Sequence, residues 1–183
     1  MSVLADTTSL LDRIALSSSQ QQWLRVAVLV SGLAFLGLVP AAGGGFHPIL
    51  SGAALVLLVL AVLMPESNAP LGLMFYLGGF WVVTVPRTLG VEVLVAAVVL
   101  TVLHLACALA SYGPPGLTLD ASVLALWWRR FWLCVGGAGL VWLLAHLLVL
   151  LDLPASGLAL GAALVLVLGW VTVLTVRLTD QRP

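Results

Sequence analysis

Six apolar runs, separated by short polar or Gly- and Pro-bearing breaks, follow a mixed first stretch of 22 residues. They occupy residues 23–42, 48–64, 71–85, 91–111, 131–151 and 158–178, and Leu, Val, Ala and Gly dominate them. A segment of about 20 apolar residues suits the ~30 Å hydrocarbon core of a bilayer, where a helix satisfies its own backbone polar groups. The pattern predicts an all-α integral membrane protein: a six-helix transmembrane bundle arranged as three hairpins.

The breaks carry helix punctuation. Ser19 and Gln22 have the spacing of a capping box ahead of the first run. Pro40 lies near that run's end, and a Gly-rich turn follows over 41–45. His47-Pro48 opens the second run and Met64-Pro65 closes it, before the polar turn Glu66-Ser67-Asn68. The third run lies between Pro70, placed for a first helical turn, and Pro86, placed for an end or a kink. Its 15 residues rise only ~22 Å, so either the span continues with Arg87 snorkelling or the segment is re-entrant. Gly90 precedes the fourth run, Gly113-Pro114-Pro115-Gly116 stops it, and Asp152-Leu153-Pro154 turns the fifth into the sixth.

Two further segments read as short interfacial helices, near 9–16 and 118–130. Leu10, Leu11 and Ile14 recur at helical spacing in the first, with Ser9 and Asp12 placed like a capping box. A disordered tail is an equal reading there. In the second, Leu119, Val123 and Trp127 share one face, and the segment feeds into the fifth run.

Orientation follows from the arginines. Trp127, Trp128 and Trp132 flank the pair Arg129-Arg130 at the foot of the fifth run. Indoles favour the headgroup level, and paired arginines mark the cytoplasmic side, so these five residues form an interface anchor. With six spans and both termini cytoplasmic, Arg13, Arg25, Arg129, Arg130, Arg177 and Arg182 lie inside and only Arg87 outside. A re-entrant third run would place four of the seven arginines outside, so six spans are favoured. The chain then divides into an interfacial segment 1–22, a six-span domain 23–178 and a cytoplasmic tail 179–183. A cleavable leader ending near Val39-Pro40-Ala41 is disfavoured, because the first 22 residues are long and weakly charged for one.

Composition sharpens this picture. The chain has 183 residues, 62% of them apolar and 8% charged, and its mean hydropathy is +1.22. Soluble domains carry about 25% charged residues, so this surface is not built for water. Seven arginines balance seven acids, which leaves no basic field for nucleic acid. Lysine is absent, in keeping with GC-rich bacterial coding, and a bacterial inner membrane is the expected location.

Similar runs recur at 53–57, 96–100 and 162–166. Parallel repeats occur in transporters, but the unequal intervals favour chance in so narrow an alphabet.

Candidate chemistry is sparse. Thr101, His104, Cys107 and Ser111 make a polar stripe on the fourth run, with Ala97 and Ala108, and such a stripe should face neighbouring helices. His104 is either a proton relay or ligand contact, or, more simply, a neutral packing histidine. Cys107 and Cys134 are expected as reduced structural cysteines. With His104 they fall one ligand short of a closed zinc site, so neither a metal nor another cofactor is expected. His47, Arg87, Glu92, His146 and Asp152 gather toward the outer face as a polar mouth, although helix ends collect polar groups anyway. Gly157 and Gly161 form a GxxxG for helix packing, and Cys134, Ala138 and Ala145 give the fifth run a small-residue face.

No HExxH, GxSG or Walker motif occurs, and no run contains paired carboxylates, so no catalytic residue and no enzyme activity is expected. The expected function is a non-catalytic scaffold or accessory subunit of a membrane complex. Its partners would be the lipid bilayer and another membrane protein, or a second copy of itself. The alternative is a small, proton-linked, homo-oligomeric transporter or channel, favoured by the His104 stripe and the outer cluster.

Overall fold

The computed structural model describes residues 18–45, 47–86, 89–111, 120–151 and 169. Five helices are delimited among the described residues, in the order α1 (Ser19–Ala41), α2 (Pro48–Leu63), α3 (Ala69–Thr84), α4 (Val91–Ala110) and α5 (Ala121–Leu150). Three of them, α1, α4 and α5, are long and apolar enough to cross a membrane. The surface segment near 9–16, the sixth run apart from Gly169, and the Gly157/Gly161 pair lie outside the described residues. Two compact units are present, Met1–Phe131 and Trp132–Pro183.

Helix ends form where breakers and caps sit. The N-cap of α1 is Ser18, whose hydroxyl accepts from the Gln21 N–H at 3.4 Å. The cap therefore lies one residue before the expected Ser19. At its C-terminus, Gly43 takes φ +82°, its N–H donates to Pro40 O at 3.0 Å, and the Gly44 N–H donates to Val39 O at 2.9 Å. This pair of bonds is a Schellman motif, satisfying carbonyls that lipid would leave bare. A Cβ on Gly44 would meet the Val39 carbonyl oxygen at 2.8 Å, so the close approach needs glycine at this position too. Pro48 occupies the first turn of α2, where its missing N–H removes an orphan donor. Between α2 and α3 the Ser67 hydroxyl donates to Met64 O at 2.7 Å and accepts from the Ala69 N–H at 3.1 Å.

The interfacial helix expected at 118–130 is not a separate element. Residues 121–130 are the opening turns of the single 30-residue helix α5. No Gly or Pro interrupts residues 121–135, so nothing in that stretch ends a helix. At 1.5 Å per residue α5 rises ~45 Å, well beyond a hydrocarbon core. Helices α2 and α3 have 16 residues each and rise only ~24 Å. The shortness foreseen for the third run thus belongs to both members of this pair.

Within the first unit, α1 packs most extensively on α4, α2 on α3, and α1 on α2, with lesser contacts of α3 to α4 and to α1. The first two expected hairpins, α1 with α2 and α3 with α4, are therefore not the main packing pairs, and the third lies outside the described residues. The two longest helices of this unit lie together, and the two short ones lie together. Buried positions recur at helical spacing: Val28, Phe35 and Val39 on α1; Ala54, Leu58 and Ala61 on α2; Leu73, Leu77 and Phe80 on α3; Ala96, Leu103 and Cys107 on α4. A Cβ on Gly32 would collide with the buried side chain of Leu58, so the absence of a side chain there lets α2 press against α1. Outward, large apolar groups such as Ile49 (85% exposed) and Phe75 (75% exposed) stand uncovered. An apolar exterior of this extent belongs in lipid.

Buried or half-buried hydroxyls are satisfied inside the bundle. Ser31 donates to Ala27 O at 2.6 Å, and Thr84 to Phe80 O at 2.6 Å. The Tyr76 hydroxyl crosses from α3 to donate to Leu50 O of α2 at 2.8 Å. Such bonds let polar side chains sit at membrane depth without an unpaired donor. The first two repeated runs do not present equivalent faces, and the third, 162–166, lies outside the described residues. Ala54 is the second alanine of its run and Ala96 the first of its own, yet these are the two that are buried.

Candidate functional site

Three segments far apart in sequence meet at one end of the first unit. They are the start of α1, the second half of α4 and the opening turns of α5. Together they enclose an open groove of about 250 Å³. Leu24 contributes from α1, and Val102, Leu105, Ala106 and Leu109 from α4. From α5 come Leu124, Trp127, Trp128 and Phe131, which are brought to one side by i, i+3, i+4, i+7 spacing. Trp128 and Phe131 stack with ring centroids 5.6 Å apart and planes at 21°. The Arg130 guanidinium carbon lies 5.0 Å from the Trp127 ring centroid, a cation–π contact on a groove-lining ring. Arg129 beside it is exposed, and Arg130 is half-buried.

Of the five expected interface anchors, Trp127 and Trp128 line the groove and Arg130 lies over the Trp127 ring, with Arg129 next to it in sequence. Trp132, exposed, begins the second unit. The groove is lined by apolar side chains, and one guanidinium, that of Arg130, stands beside its aromatic wall. Comparison with protein-family models, with curated proteins and with solved structures gave no match. The reading of the site therefore rests on the chain itself.

The α4 stripe divides. Cys107 is buried; Thr101 is half-buried and donates to Ala97 O of its own helix at 2.8 Å. Ser111 is exposed and donates to Ala108 O at 2.9 Å. His104 is exposed. The face that α4 turns to its neighbours is instead Ala96, Leu103, Ala106, Cys107 and Ala110, and the expected stripe runs along its flank. Small apolar residues, not polar ones, make the close contacts.

The expected outer cluster is only partly within the described residues, since Arg87 and Asp152 lie outside them. His47 is exposed just before α2, with no side-chain capping bond. Glu92 is half-buried in the first turn of α4, where a carboxylate complements the helix dipole, and its carboxylate folds back close to Gly90. His146, on the second unit's part of α5, lies against Trp142 with ring centroids 4.3 Å apart and planes at 41°. Its Nδ1 is buried without a hydrogen-bond partner, the one such side-chain atom among the described residues. Cys134 is exposed and, like Cys107, not in a disulfide. Among the described residues no three His, Cys, Asp or Glu side chains gather as metal ligands.

Sequence reasoning missed the α1 and α4 walls of the groove. Leu24, Val102, Leu105 and Leu109 are indistinguishable from any other lipid-facing aliphatic until the helices are assembled. The aromatic and arginine cluster of α5 was the one part with a local signal.

Proposed function

We propose that this protein is a non-catalytic scaffold or accessory subunit of a membrane complex. It would cross a bacterial inner membrane six times with both termini cytoplasmic. The short helices α2 and α3 are accommodated by local thinning and by snorkelling of flanking side chains. The observation that carries this reading is α5: among its 30 residues none is buried, whereas α1–α4 enclose a shared core. A helix of that length, with Gly136 and Gly139 open to close approach, offers a seam for another membrane protein.

A second reading, a small homo-oligomeric transporter or channel, draws support from the unbonded buried Nδ1 of His146 within the apolar fifth run. Purification in mild detergent separates the two. The scaffold reading expects a different membrane protein to co-purify in fixed ratio. A chain that purifies alone as a symmetric oligomer overturns it in favour of the second.

A further inference from the structure

The groove at the start of α5 joins an apolar slot to a cation. Its walls are carbon: Leu24, Val102, Leu105 and Leu109 on one side, Trp127 and Trp128 on the other. At about 250 Å³ it takes a stretch of hydrocarbon chain rather than a whole lipid. A guanidinium stands at the wall itself, because Arg130 lies over the ring of Trp127, and Arg129 is its sequence neighbour. A guanidinium over an indole face keeps its in-plane N–H donors for an oxygen acid.

We propose that this groove is a binding site for an anionic phospholipid. One acyl chain lies in the aliphatic slot, and the headgroup phosphate accepts from Arg130, with the Arg129 charge beside it in sequence. The indoles set the depth, since their rings rest at the level where chain meets headgroup. Net headgroup charge decides the preference. A zwitterionic lipid presents the same phosphate but carries a cation beside it, whereas a phosphatidylglycerol-type head does not. Arginine suits the phosphate because its planar fork donates two parallel bonds.

Tryptophan quenching by lipids with brominated chains tests this on the full chain in vesicles. Brominated phosphatidylglycerol and brominated phosphatidylcholine are compared at equal mole fraction in unbrominated phosphatidylcholine. The difference between wild type and Trp127→Phe/Trp128→Phe isolates the groove indoles from the others. Expected is groove quenching several-fold stronger with the brominated anionic lipid, weakening as salt is added. Arg129→Gln/Arg130→Gln should bring the two lipids to parity while leaving quenching by brominated phosphatidylcholine unchanged. Equal quenching of the wild type by both lipids overturns the site and leaves ordinary boundary lipid. Absence of groove quenching by either lipid overturns it as well, and places a protein segment or a second copy in the groove. The contrast between headgroups uses only the wild type and the Trp127→Phe/Trp128→Phe protein, so it stands even if the arginine pair is required for insertion.

Discussion

Helices α4 and α5 are made of the same material and live differently. Mean hydropathy over the most apolar window is 2.6 in α4 and 2.2 in α5, and both are long enough to cross a membrane. Yet α4 buries Ala96, Leu103, Ala106, Cys107 and Ala110 against its neighbours, and α5 buries nothing. In lipid, apolar surface alone does not drive helices together, because tails are as apolar as leucine. What distinguishes α4 is shape: small residues at its buried positions let a neighbouring helix approach. Helix α5 has small residues too, at Gly136 and Gly139, but among the described residues no atom lies within 4 Å of a Cβ built on either.

Truncation gives the largest expected contrast. Leu103 is fully buried and Leu143 is 51% exposed. Leu103→Ala should leave a cavity and lower stability by about 2–5 kcal/mol, as buried leucine truncations do. Leu143→Ala removes contacts mostly with lipid and should change stability by no more than about 0.5 kcal/mol. Reversible unfolding in mixed micelles reads both. A Leu143→Ala loss as large as that of Leu103→Ala would mean that α5 is packed after all.

Overpacking comes next. Gly32→Val would drive a branched side chain into the buried Leu58 and should cost about 1–3 kcal/mol. Gly136→Val meets open space, so the isolated chain should unfold as the wild type does. The same variant should fail to retain a co-purifying partner if that partner sits on α5. Loss of stability in the isolated chain would break the comparison.

How much of this was legible beforehand depends on what kind of signal each feature leaves. Helix boundaries leave local ones: Pro48, the Met64-Pro65 stop, Pro70 and Gly90 each mark an end that the structure places within two residues. The α1 cap slipped by one because Ser17-Ser18-Ser19 and Gln20-Gln21-Gln22 offer the same spacing at adjacent registers. The structure distinguishes them through the Ser18 hydroxyl, which accepts from the Gln21 N–H. Faces leave almost no signal. In soluble helices the polar side marks the surface, but here Leu and Val occur on every side, so the buried face of α4 could not be separated from the adjoining polar stripe. Continuity of α5 was misread because its Trp and Arg cluster resembles an interfacial helix, and clusters of that kind also occur at the end of a spanning one. The groove was illegible except for its α5 wall, since residues 24, 102–109 and 124–131 meet only in the assembled chain.

The smallest expected effect is also the sharpest, because it changes sign between the two regions. Gly43, which ends α1, sits at φ +82°, a conformation that costs an L-residue about 1 kcal/mol. Gly43→Ala should therefore destabilise by about that amount, with the Schellman bonds to Pro40 and Val39 weakened. Gly139 lies inside α5 with ordinary helical geometry and no atom within 4 Å of a built Cβ. There alanine loses less backbone freedom on folding than glycine, so Gly139→Ala should stabilise by roughly 0.5–1 kcal/mol. Paired unfolding measurements on the isolated chain read the two signs directly. If Gly139→Ala destabilises instead, a helix already lies against that glycine, and its source is either another copy or residues of this chain beyond α5. Dilution then decides between them, since only contact with another copy weakens as the protein concentration falls.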